Sequence, residues 1–498
     1  MRDADAGARE REVLKARRES LDRLRASGVE PFALAFDVTA TAAEIQGKHA
    51  GLGPEAQTAD EVSVAGRIVL ARRFGKLTFL ILRDRTADIQ LFCDITSMDS
   101  ASVALLEEVD LGDIVGARGT VMTTKKGELS IRVRTLVLLT KALRPLPEKW
   151  HGLKDPDLQQ RKRHLHLATD ETVREYARAR ATVLRTIRRE LDARGFIEVE
   201  TPVLQAVAGG ALARPFTTHH LALDMDLKLR ISLELYLKRL LIGGLERVYE
   251  IGRNFRNEGI DREHNPEFTM LELYQAYGDY RDMMEISHAL VTACAHEVRG
   301  SLRFPFRERE LDLGVEWRKV TILAAVSEAV GEEVSLARTD LPELAERHGV
   351  NTDPAWGPGK VVVELFEKLV EANLWEPTFV CDFPREVSPL ARPHRDDPEL
   401  TEHFDLIIGG VELATAFSEL TDPDEQRAKF ELQQALKSAG DDEAHPLDED
   451  FLEALEHGMP PAGGIGIGID RLLMVLTDAD SLRDLIMFPH HRPEPGGP

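Results

Sequence analysis

The 498-residue sequence has few cysteines and no cysteine pattern. Its three cysteines, Cys93, Cys294 and Cys381, are far apart along the chain. They therefore form neither a disulfide framework nor the paired spacing of a cysteine-ligated metal site. This scarcity is typical of proteins from a reducing cytosol, and we expect a cytoplasmic protein.

Hydrophobic runs long enough to cross a membrane are also missing, and the charged start MRDADAGARERE has no apolar signal region. We therefore expect no membrane partner. No GxxxxGK[ST] motif is present, which excludes a P-loop nucleotide site. The formal net charge of -23 argues against a surface coated with base for nucleic acid, but it allows one local basic region.

What the sequence does contain is a charged hairpin pattern in its middle. Two strand-like runs, 246–251 and 267–274, flank a polar loop and predict an antiparallel hairpin. One reading is a solvated sheet face with surface ion pairs. The other is a pocket floor, with a guanidinium for a phosphate or carboxylate, an aromatic plate for a flat base and carboxylates for a cation. Two sets of side chains would each share one side of these strands: Arg256 with Glu258, and Phe268 with Glu272 and Tyr274.

Five short alternating segments between residues 62 and 133 are separated by turns and predict a small closed barrel. Arginine and lysine recur through this region, and Phe79 and Gln90 lie on neighbouring predicted strands. A basic groove with an aromatic ring and an amide suits the unstacked bases of single-stranded RNA. The same composition also fits a plain basic surface with Phe79 in the barrel core.

Apolar periodicity predicts two prominent helices. The basic residues of the helix at 10–27 either form an ordinary solvated face or contact phosphate. A longer helix over 170–191 is interrupted by Arg180, whose charge we expect at the edge of the apolar face. The run GIGIG at 464–468 precedes another predicted helix, where we expect Asp470 to be a structural N-cap.

Three motifs together resemble the class II aminoacyl-tRNA synthetases, and in particular their lysyl group. GFIEVETPVL at 195–204 is similar to motif 1, FRNEG followed by HNPEFTMLELY at 255–274 to motif 2, and GIGIGIDRLLM at 464–474 to motif 3. The resemblance runs from about residue 62 to 493. It implies an α+β protein, with an N-terminal OB-fold β-barrel followed by a class II antiparallel-sheet catalytic domain.

The resemblance also implies a division of the chain. We expect an N-terminal helix and irregular lead-in over 1–60 and an OB-fold anticodon-binding domain over 61–142. A hinge over 143–168 and a catalytic domain over 169–498 would follow. Residues 299–380 form an insertion between motifs 2 and 3 in which the sequence indicates no chemistry.

The resemblance assigns roles to the residues at matching positions. Catalysis would rest on Arg256 and Arg471, through positioning and electrostatic stabilisation rather than a protein base. The implied ATP-binding residues are Arg256, Glu258, His264, Asn265, Phe268, Glu412 and Arg471, and the implied Mg²⁺ ligands are Asp405 and Glu412. Phe79 and Gln90 would read the tRNA anticodon.

The implied lysine site consists of Gly210, Glu234, Arg256, Glu272, Tyr274 and Glu419. A buried ammonium needs opposite charge and hydrogen bonds, and two carboxylates with a phenol suit the end of a lysine side chain. An aspartyl or asparaginyl enzyme would need basic groups instead, and TMLELY and AFSEL contain none.

Three positions depart from the lysyl pattern. Thr415 stands where most members have Asn, so one contact is weakened or replaced. His164 and His166 stand where Tyr and Asp are usual, and we interpret them as structural. The turn at 85–88 lacks the common glycine, which leaves the angle of that hairpin open.

The resemblance predicts ligation of L-lysine to tRNA(Lys) through a lysyl-adenylate, with ATP as co-substrate, Mg²⁺ as cofactor and a homodimer as the assembly. An alternative is a paralogue that activates lysine and delivers it to a lipid or protein. A third hypothesis is an RNA-binding module with an inactive catalytic domain. The retained Arg256, Glu258, Phe268, Glu412 and Arg471 speak against that third hypothesis.

Overall fold

A computed structural model describes residues 2–147, 155–438 and 445–492. The chain forms two compact units that divide between residues 154 and 155, within the segment 143–168. Part of that segment and the acidic run 441–443 lie outside the described residues. None of the described helices combines the length and the apolar character needed to cross a bilayer.

The first unit is a closed five-stranded barrel with three helices, which confirms the predicted barrel. The strands follow the order β1-β2-β3-β5-β4 around the barrel. Alternate side chains of β2 and β3 are buried, and they form the interior with those of the other strands. The elements are α1 Arg2–Ala26, α2 Ala42–Lys48, β1 Gln57–Phe74, β2 Leu77–Arg83, β3 Asp88–Asp94, α3 Ser100–Glu108, β4 Ile114–Thr123 and β5 Leu129–Thr140.

The turn between β2 and β3 is closed without a glycine. Asp84 Oδ1 accepts hydrogen bonds from the backbone N–H groups of Thr86 (2.6 Å) and Ala87 (3.0 Å). The Asp84 side chain therefore stabilises the turn in the absence of a glycine. Arg83 and Asp88 then pair across the strand ends at 2.6 Å. These contacts settle the hairpin geometry that the sequence left open.

Helix α1 is fixed to the barrel unit by a buried arginine. Arg17 Nη1 donates to Ala142 O at 2.8 Å and Arg17 Nη2 to Leu111 O at 2.8 Å. Leu24 belongs to the barrel core. Among the other basic residues of the helix, Arg11, Lys15, Arg18 and Arg25 are exposed, as a solvated or phosphate-binding face requires.

The second unit contains thirteen strands and twelve helices within the described residues. Its strands are β6 Ile197–Glu198, β7 Leu204–Gln205, β8 Thr217–His220, β9 Met225–Leu229, β10 Arg247–Phe255, β11 Glu267–Ala276, β12 Arg303–Phe306, β13 Arg309–Asp312, β14 Arg318–Thr321, β15 Thr378–Cys381, β16 His403–Ile408, β17 Val411–Ser418 and β18 Ala462–Gly468. Its helices are α4 Pro156–Arg161, α5 Arg163–Thr169, α6 Glu171–Asp192, α7 Glu234–Ile242, α8 Tyr280–Arg299, α9 Ile322–Val330, α10 Leu341–Arg347, α11 Pro358–Leu369, α12 Pro423–Ser438, α13 Glu449–Glu456, α14 Ile469–Thr477 and α15 Leu482–Leu485.

An eight-stranded, mostly antiparallel sheet forms the frame of this unit, in the order β14-β15-β16-β17-β18-β11-β10-β6. Helices α6, α8 and α14 pack their apolar sides on one face of the sheet, where Leu271 and Leu273 of β11 are buried. Strands β10 and β11 form the predicted hairpin, with Asn254 opposite Phe268. The other face of the sheet remains available for a pocket.

Several local predictions were wrong in detail. Arg256 and Glu258 lie in the loop after β10 rather than on the strand. The run 406–413, whose hydrophobic residues would suit one continuous strand, is divided between β16 and β17 by a turn at Gly409 and Gly410, whose φ angles of 63° and 72° suit glycine. Helix α3 was not predicted.

The start of helix α14 also differs from the prediction. Its N-cap is Gly468, and Asp470 lies inside the first turn. Asp470 Oδ2 accepts the Thr269 N–H at 2.7 Å and its other oxygen pairs with Arg180. The charge of Arg180 therefore lies against a buried carboxylate, and not at the helix edge as we expected.

The two histidines near the start of the unit have different surroundings. His164 is exposed, whereas His166 is buried next to Arg163. Arg163 in turn donates to the carbonyl groups of Met487 (2.9 Å) and Arg483 (2.7 Å). No group of three or more metal-ligating side chains occurs among the described residues. The structural interpretation of the two histidines stays a prediction.

Candidate active site

A cavity of ≈ 440 Å³ lies on the open face of the large sheet. Strands β11, β17 and β18 provide its floor, and the loop after β10 and the starts of α7 and α14 provide its walls. Eleven of the residues predicted from the sequence line it: Gly210, Glu234, Arg256, Glu258, His264, Asn265, Phe268, Glu272, Tyr274, Glu412 and Arg471. The predicted residues Asp405 and Glu419 lie behind this lining.

The side chains of strand β11 change in character along the cavity floor. Because side chains alternate along a strand, Phe268, Met270, Glu272 and Tyr274 line the cavity while Leu271 faces the helices. An aromatic ring therefore lies near one end of the floor, and a carboxylate and a phenol lie near the other. The predicted parity of this strand is confirmed.

Glu272 is buried at the acidic end and is fixed by several donors. Its Oε1 accepts from Ser232 Oγ at 3.0 Å and from the Leu233 N–H at 3.0 Å, at the N-terminus of α7. The Tyr274 hydroxyl donates to Oε2 at 3.3 Å. Burial nevertheless raises the pKa of Glu272 to about 7, because desolvation outweighs these hydrogen bonds.

Two further carboxylates lie next to a buried lysine that the sequence reading missed. Lys238 is fully buried, and its Nζ lies 2.5 Å from Glu234 Oε1 and 2.5 Å from Glu419 Oε2. Burial raises the pKa of Glu419 to about 8, although Lys238 acts in the opposite direction. The close approach of Glu419 depends on Gly464, since a Cβ there would lie 2.1 Å from Glu419 Oε1.

The opposite end of the cavity is basic and aromatic. The Arg256 guanidinium lies over the Phe268 ring, 5.1 Å from its centroid. Its Nε is buried without a hydrogen-bond partner among the described residues. Burial lowers the pKa of Arg256, and the carboxylates of Glu258, Glu272 and Glu412 offset this effect. A planar guanidinium with spare donors beside an aromatic ring can hold an anion next to a flat base.

Arg471 extends the basic region from the start of α14. Its Nη1 donates to Glu412 O at 3.0 Å and lies 3.2 Å from Glu412 Oε1. Burial raises the pKa of Glu412, Arg471 lowers it and the nearby Asp405 raises it. A second carboxylate near the raised Glu412 carboxyl provides hard oxygen ligands of the kind that a divalent cation takes.

The loop after β10 contributes less constrained groups. Glu258 is exposed, and His264 is held by Asp261 at 2.9 Å. Asn265 is buried and donates from Nδ2 to Glu267 O at 2.6 Å, while its Oδ1 has no partner among the described residues. This loop therefore adds the Arg256 guanidinium and the side-chain oxygens of Glu258 and Asn265 to the cavity lining that includes the Phe268 ring.

Thr415 has a defined partner in place of the usual amide contact. Its hydroxyl donates to Asp405 Oδ1 at 2.6 Å from the neighbouring strand. His403 Nε2 lies 3.1 Å from the same oxygen. The threonine therefore fixes one of the two predicted metal ligands.

Two more residues near the cavity were missed. Burial and Glu412 raise the pKa of Glu371 to about 7, which places this residue of the 299–380 segment beside the predicted metal ligands. His445 accepts the Gly210 N–H on Nε2 at 2.6 Å and stacks on Phe430 at 4.6 Å. Neither carries a local sequence signal, because both contacts join distant parts of the chain.

In the barrel unit, Phe79 and Gln90 share the outer face. Phe79 is half-buried, so the core alternative for it is wrong, and it packs edge-on against Phe74 (6.1 Å) and Phe92 (5.4 Å). Gln90 Nε2 donates to Ser130 Oγ at 2.8 Å. The ring and the amide therefore lie on one surface with two aromatic neighbours that the sequence reading did not include.

Comparisons with known proteins agree with the two units. A family model described as tRNA synthetases class II (D, K and N) matches residues 155–492, and one described as OB-fold nucleic acid binding domain matches residues 62–139. A lysine--tRNA ligase of Moorella thermoacetica is 49% identical over 487 residues, which cover 97% of this chain and 99% of the relative. Another from Thermosynechococcus vestitus is 50% identical over 502 residues, with 99% of each chain covered.

Proposed function

Because the chain belongs to the class II tRNA synthetases of the D, K and N group, we propose that it is a ligase that joins L-lysine to tRNA(Lys) with ATP. The family matches also confirm the predicted α+β class, with an OB-fold barrel before a class II catalytic domain. The observation that carries the choice of lysine is the buried acidic end of the cavity, where Glu272, Glu234 and Glu419 meet.

In this proposal, the substrate L-lysine binds with its carboxylate toward Arg256 and its side chain toward the acidic end of the cavity. Glu272 and Tyr274 bind the terminal ammonium from the floor, and Glu419 approaches it from behind Gly464. Glu234 and the backbone at Gly210 take the α-ammonium. A neutral or acidic side chain would leave these buried carboxylates unpaired, which disfavours its binding strongly.

ATP occupies the basic end. Phe268 stacks on the adenine, with Glu258, His264 and Asn265 around the nucleotide. Arg256 contacts both the α-phosphate and the lysine carboxylate, and Arg471 holds the terminal phosphate. The two arginines bring nucleophile and phosphorus together and stabilise the negative charge that develops during attack, so no protein base is needed.

Asp405 and Glu412 would hold Mg²⁺ in this scheme. Their carboxylate oxygens are the ligand type that a small hard cation takes, Asp405 is near enough to raise the pKa of Glu412, and the Thr415 hydroxyl holds Asp405 in place. The bound ion would supply neutralisation of phosphate charge. Arg471, which already contacts Glu412, would share that task.

The barrel binds the anticodon in this proposal. Phe79 offers a ring for stacking and Gln90 offers an amide for a base edge, both on the outer face of the barrel. The full-length relatives carry lysine--tRNA ligase names, which supports tRNA rather than a lipid or protein as acceptor.

We also propose a homodimer in the cytoplasm; the exposed apolar residues Ile197 and Leu204 in motif 1 are consistent with a surface that a second subunit covers.

Two assays test this function. Lysine-dependent exchange of pyrophosphate into ATP is expected, whereas aspartate and asparagine should give only background exchange. Charging of a tRNA that carries a lysine anticodon should exceed charging of the same tRNA with a changed anticodon. Exchange without charging would favour a different acceptor, and the absence of both would favour an inactive binding protein.

A further inference from the structure

Lys238 is an unusual residue for the interior of a recognition site. It lies on α7, where Leu235, Leu237 and Leu241 are also buried, and none of its side chain is exposed. A buried ammonium is costly unless carboxylates surround it. Two do: Glu234, one helical turn earlier, and Glu419, just after β17, each 2.5 Å away.

Both partners of Lys238 belong to the lysine site proposed above. Burial alone would lower the pKa of Lys238, but Glu234 and Glu419 outweigh burial and raise it, so the ammonium is charged at neutral pH. Its charge opposes the protonation of Glu419, which burial favours. Lys238 therefore acts on the same two carboxylates that a bound lysine would contact.

The charges of the acidic end match a dibasic ligand only if Lys238 is counted. This end holds three carboxylates and one ammonium: Glu234 and Glu419 contact Lys238, and Glu272 lies near Glu419. When all are ionised, two negative charges remain, and lysine brings two ammonium groups. The lysine carboxylate is then left for Arg256 at the other end of the cavity.

We propose that Lys238 is a positioning residue for lysine recognition, whose ammonium pairs with both Glu234 and Glu419 and orients these carboxylates toward the two ammonium groups of the substrate. This inference rests on the proposed function. It adds a role for a residue that contacts no substrate itself: without Lys238, two adjacent buried carboxylates would share a proton, and that proton would compete with the incoming ammonium.

The primary test replaces Lys238 with an apolar residue of similar length. Lys238→Met is expected to raise the KM for lysine in pyrophosphate exchange by about tenfold or more, because the substrate must displace a shared proton. The KM for ATP should change little, since the nucleotide end is built from other residues. An unchanged KM for lysine would overturn the inference.

The pH dependence separates positioning from a purely structural role. The charged groups around Lys238 are Glu234 on its own helix, Glu419 after β17, Glu272 on β11 and Lys429 on α12. In Lys238→Met, the defect in lysine KM should shrink as pH rises from 7 to 9, because the shared proton is lost. A structural defect would persist at every pH and would overturn the proposal.

A double variant gives an independent check. If Lys238 acts through Glu419, then Lys238→Met and Glu419→Gln should not have additive effects on the KM for lysine. The neutral amide removes the need for the shared proton, so the double variant should be no worse than the worse single variant. Additive losses would mean that the two residues act separately and would contradict the inference.

Lys429 provides a matched control. It is a half-buried lysine on α12 with a glutamate, Glu425, four residues earlier at 3.7 Å, the same sequence spacing as between Glu234 and Lys238. Lys429 Nζ donates to Ala391 O at 2.9 Å and lines no part of the cavity. Lys429→Met should therefore change the KM for lysine far less than Lys238→Met does, because Lys429 pairs with neither Glu234 nor Glu419. An equal rise would show a general effect of removing a lysine near the acidic end and would overturn the inference.

Folding is monitored by circular dichroism and thermal unfolding, and Lys238→Gln serves as a second neutral variant. If neither neutral variant folds, Lys238 has a folding role and the inference is wrong. If the unaltered protein lacks lysine-dependent exchange, the proposed function itself fails. If it shows exchange but the Lys238 variants keep its KM for lysine, only the inference fails.

Discussion

The two ends of the cavity are built in opposite ways. At the acidic end, Glu272, Glu419 and Lys238 are almost fully buried and already contact protein partners. At the basic end, the side chains of His264 and Glu412 are 50% and 39% exposed, and Arg256 has an unused buried donor. One end is therefore organised by the protein, and the other has groups free to be organised by its ligand.

This difference relates to what each end must do. Discrimination between amino acids requires fixed charges in a desolvated site, because only there does an unmatched side chain leave unpaired groups. A triphosphate carries its own charge and can draw flexible cations into place. The following predictions test the contrast between a prebuilt end and a ligand-organised end.

The largest expected effect is at the residue that contacts both ligands in the proposal. Arg256→Ala should reduce lysine-dependent exchange by about a thousandfold, because one preorganised cation at a developing charge is worth this much. The KM values for lysine and ATP should both rise. Steady-state exchange over a range of both substrates measures this, and intact exchange would refute the assigned role.

A selective loss is expected at the prebuilt end. Glu272→Gln keeps an acceptor for Ser232 and the Leu233 N–H, so the fold should survive. Removal of one buried negative charge should lower kcat/KM for lysine by about a hundredfold while the KM for ATP stays constant. Unchanged preference for lysine over norleucine, which lacks only the terminal amine, would remove Glu272 from the pocket.

The pH dependence of the KM for lysine should distinguish the acidic end of the cavity from the basic end, and we expect an effect of intermediate size. Burial raises the pKa of Glu272 to about 7, so the free enzyme carries a proton there below that pH. An ammonium binds only the ionised carboxylate. The KM for lysine should therefore fall by about tenfold between pH 6 and pH 8, as the ionised fraction rises.

Glu272→Gln is the control for this profile, because it should remove the part of the pH dependence centred near pH 7, whereas the contribution of Glu419, whose pKa burial raises to about 8, should remain. The same measurement with saturating lysine reports the nucleotide end. A lysine KM that does not depend on pH would contradict the assignment of the titrating group.

The sequence could predict the parts of this site that follow a local period. The alternation of Phe268, Glu272 and Tyr274 on β11 follows from strand geometry alone. The hairpin and the barrel were likewise predicted from alternation and turns. The resemblance, and not the pattern, supplied the roles of individual residues.

Other features could not be predicted because they arise from tertiary packing. Lys238 has the i,i+4 spacing to Glu234 of an ordinary surface ion pair, and only tertiary packing brings Glu419, just after β17, to the same ammonium. Asp470 occupies a position that suits an N-cap, but its contact with Arg180 depends on the docking of two helices. Glu371 lies near Glu412 because Leu374 and Trp375 accept backbone hydrogen bonds from Gly410 and Gly409, just before β17.

The smallest effect is expected for a substitution in the barrel, outside the cavity, which should leave the acidic and basic ends of the cavity unaltered. Phe79 lies on the outer face of the barrel, against Phe74 and Phe92. Phe79→Ala should raise the KM for tRNA by about fivefold to tenfold, since it removes one stacking surface. Exchange without tRNA should remain constant, and Leu80→Ala, which opens the buried barrel core, is the matched control for loss of folding. An unaltered KM for tRNA would mean that this face does not contact the anticodon, while a change in exchange would mean that the barrel influences the cavity directly.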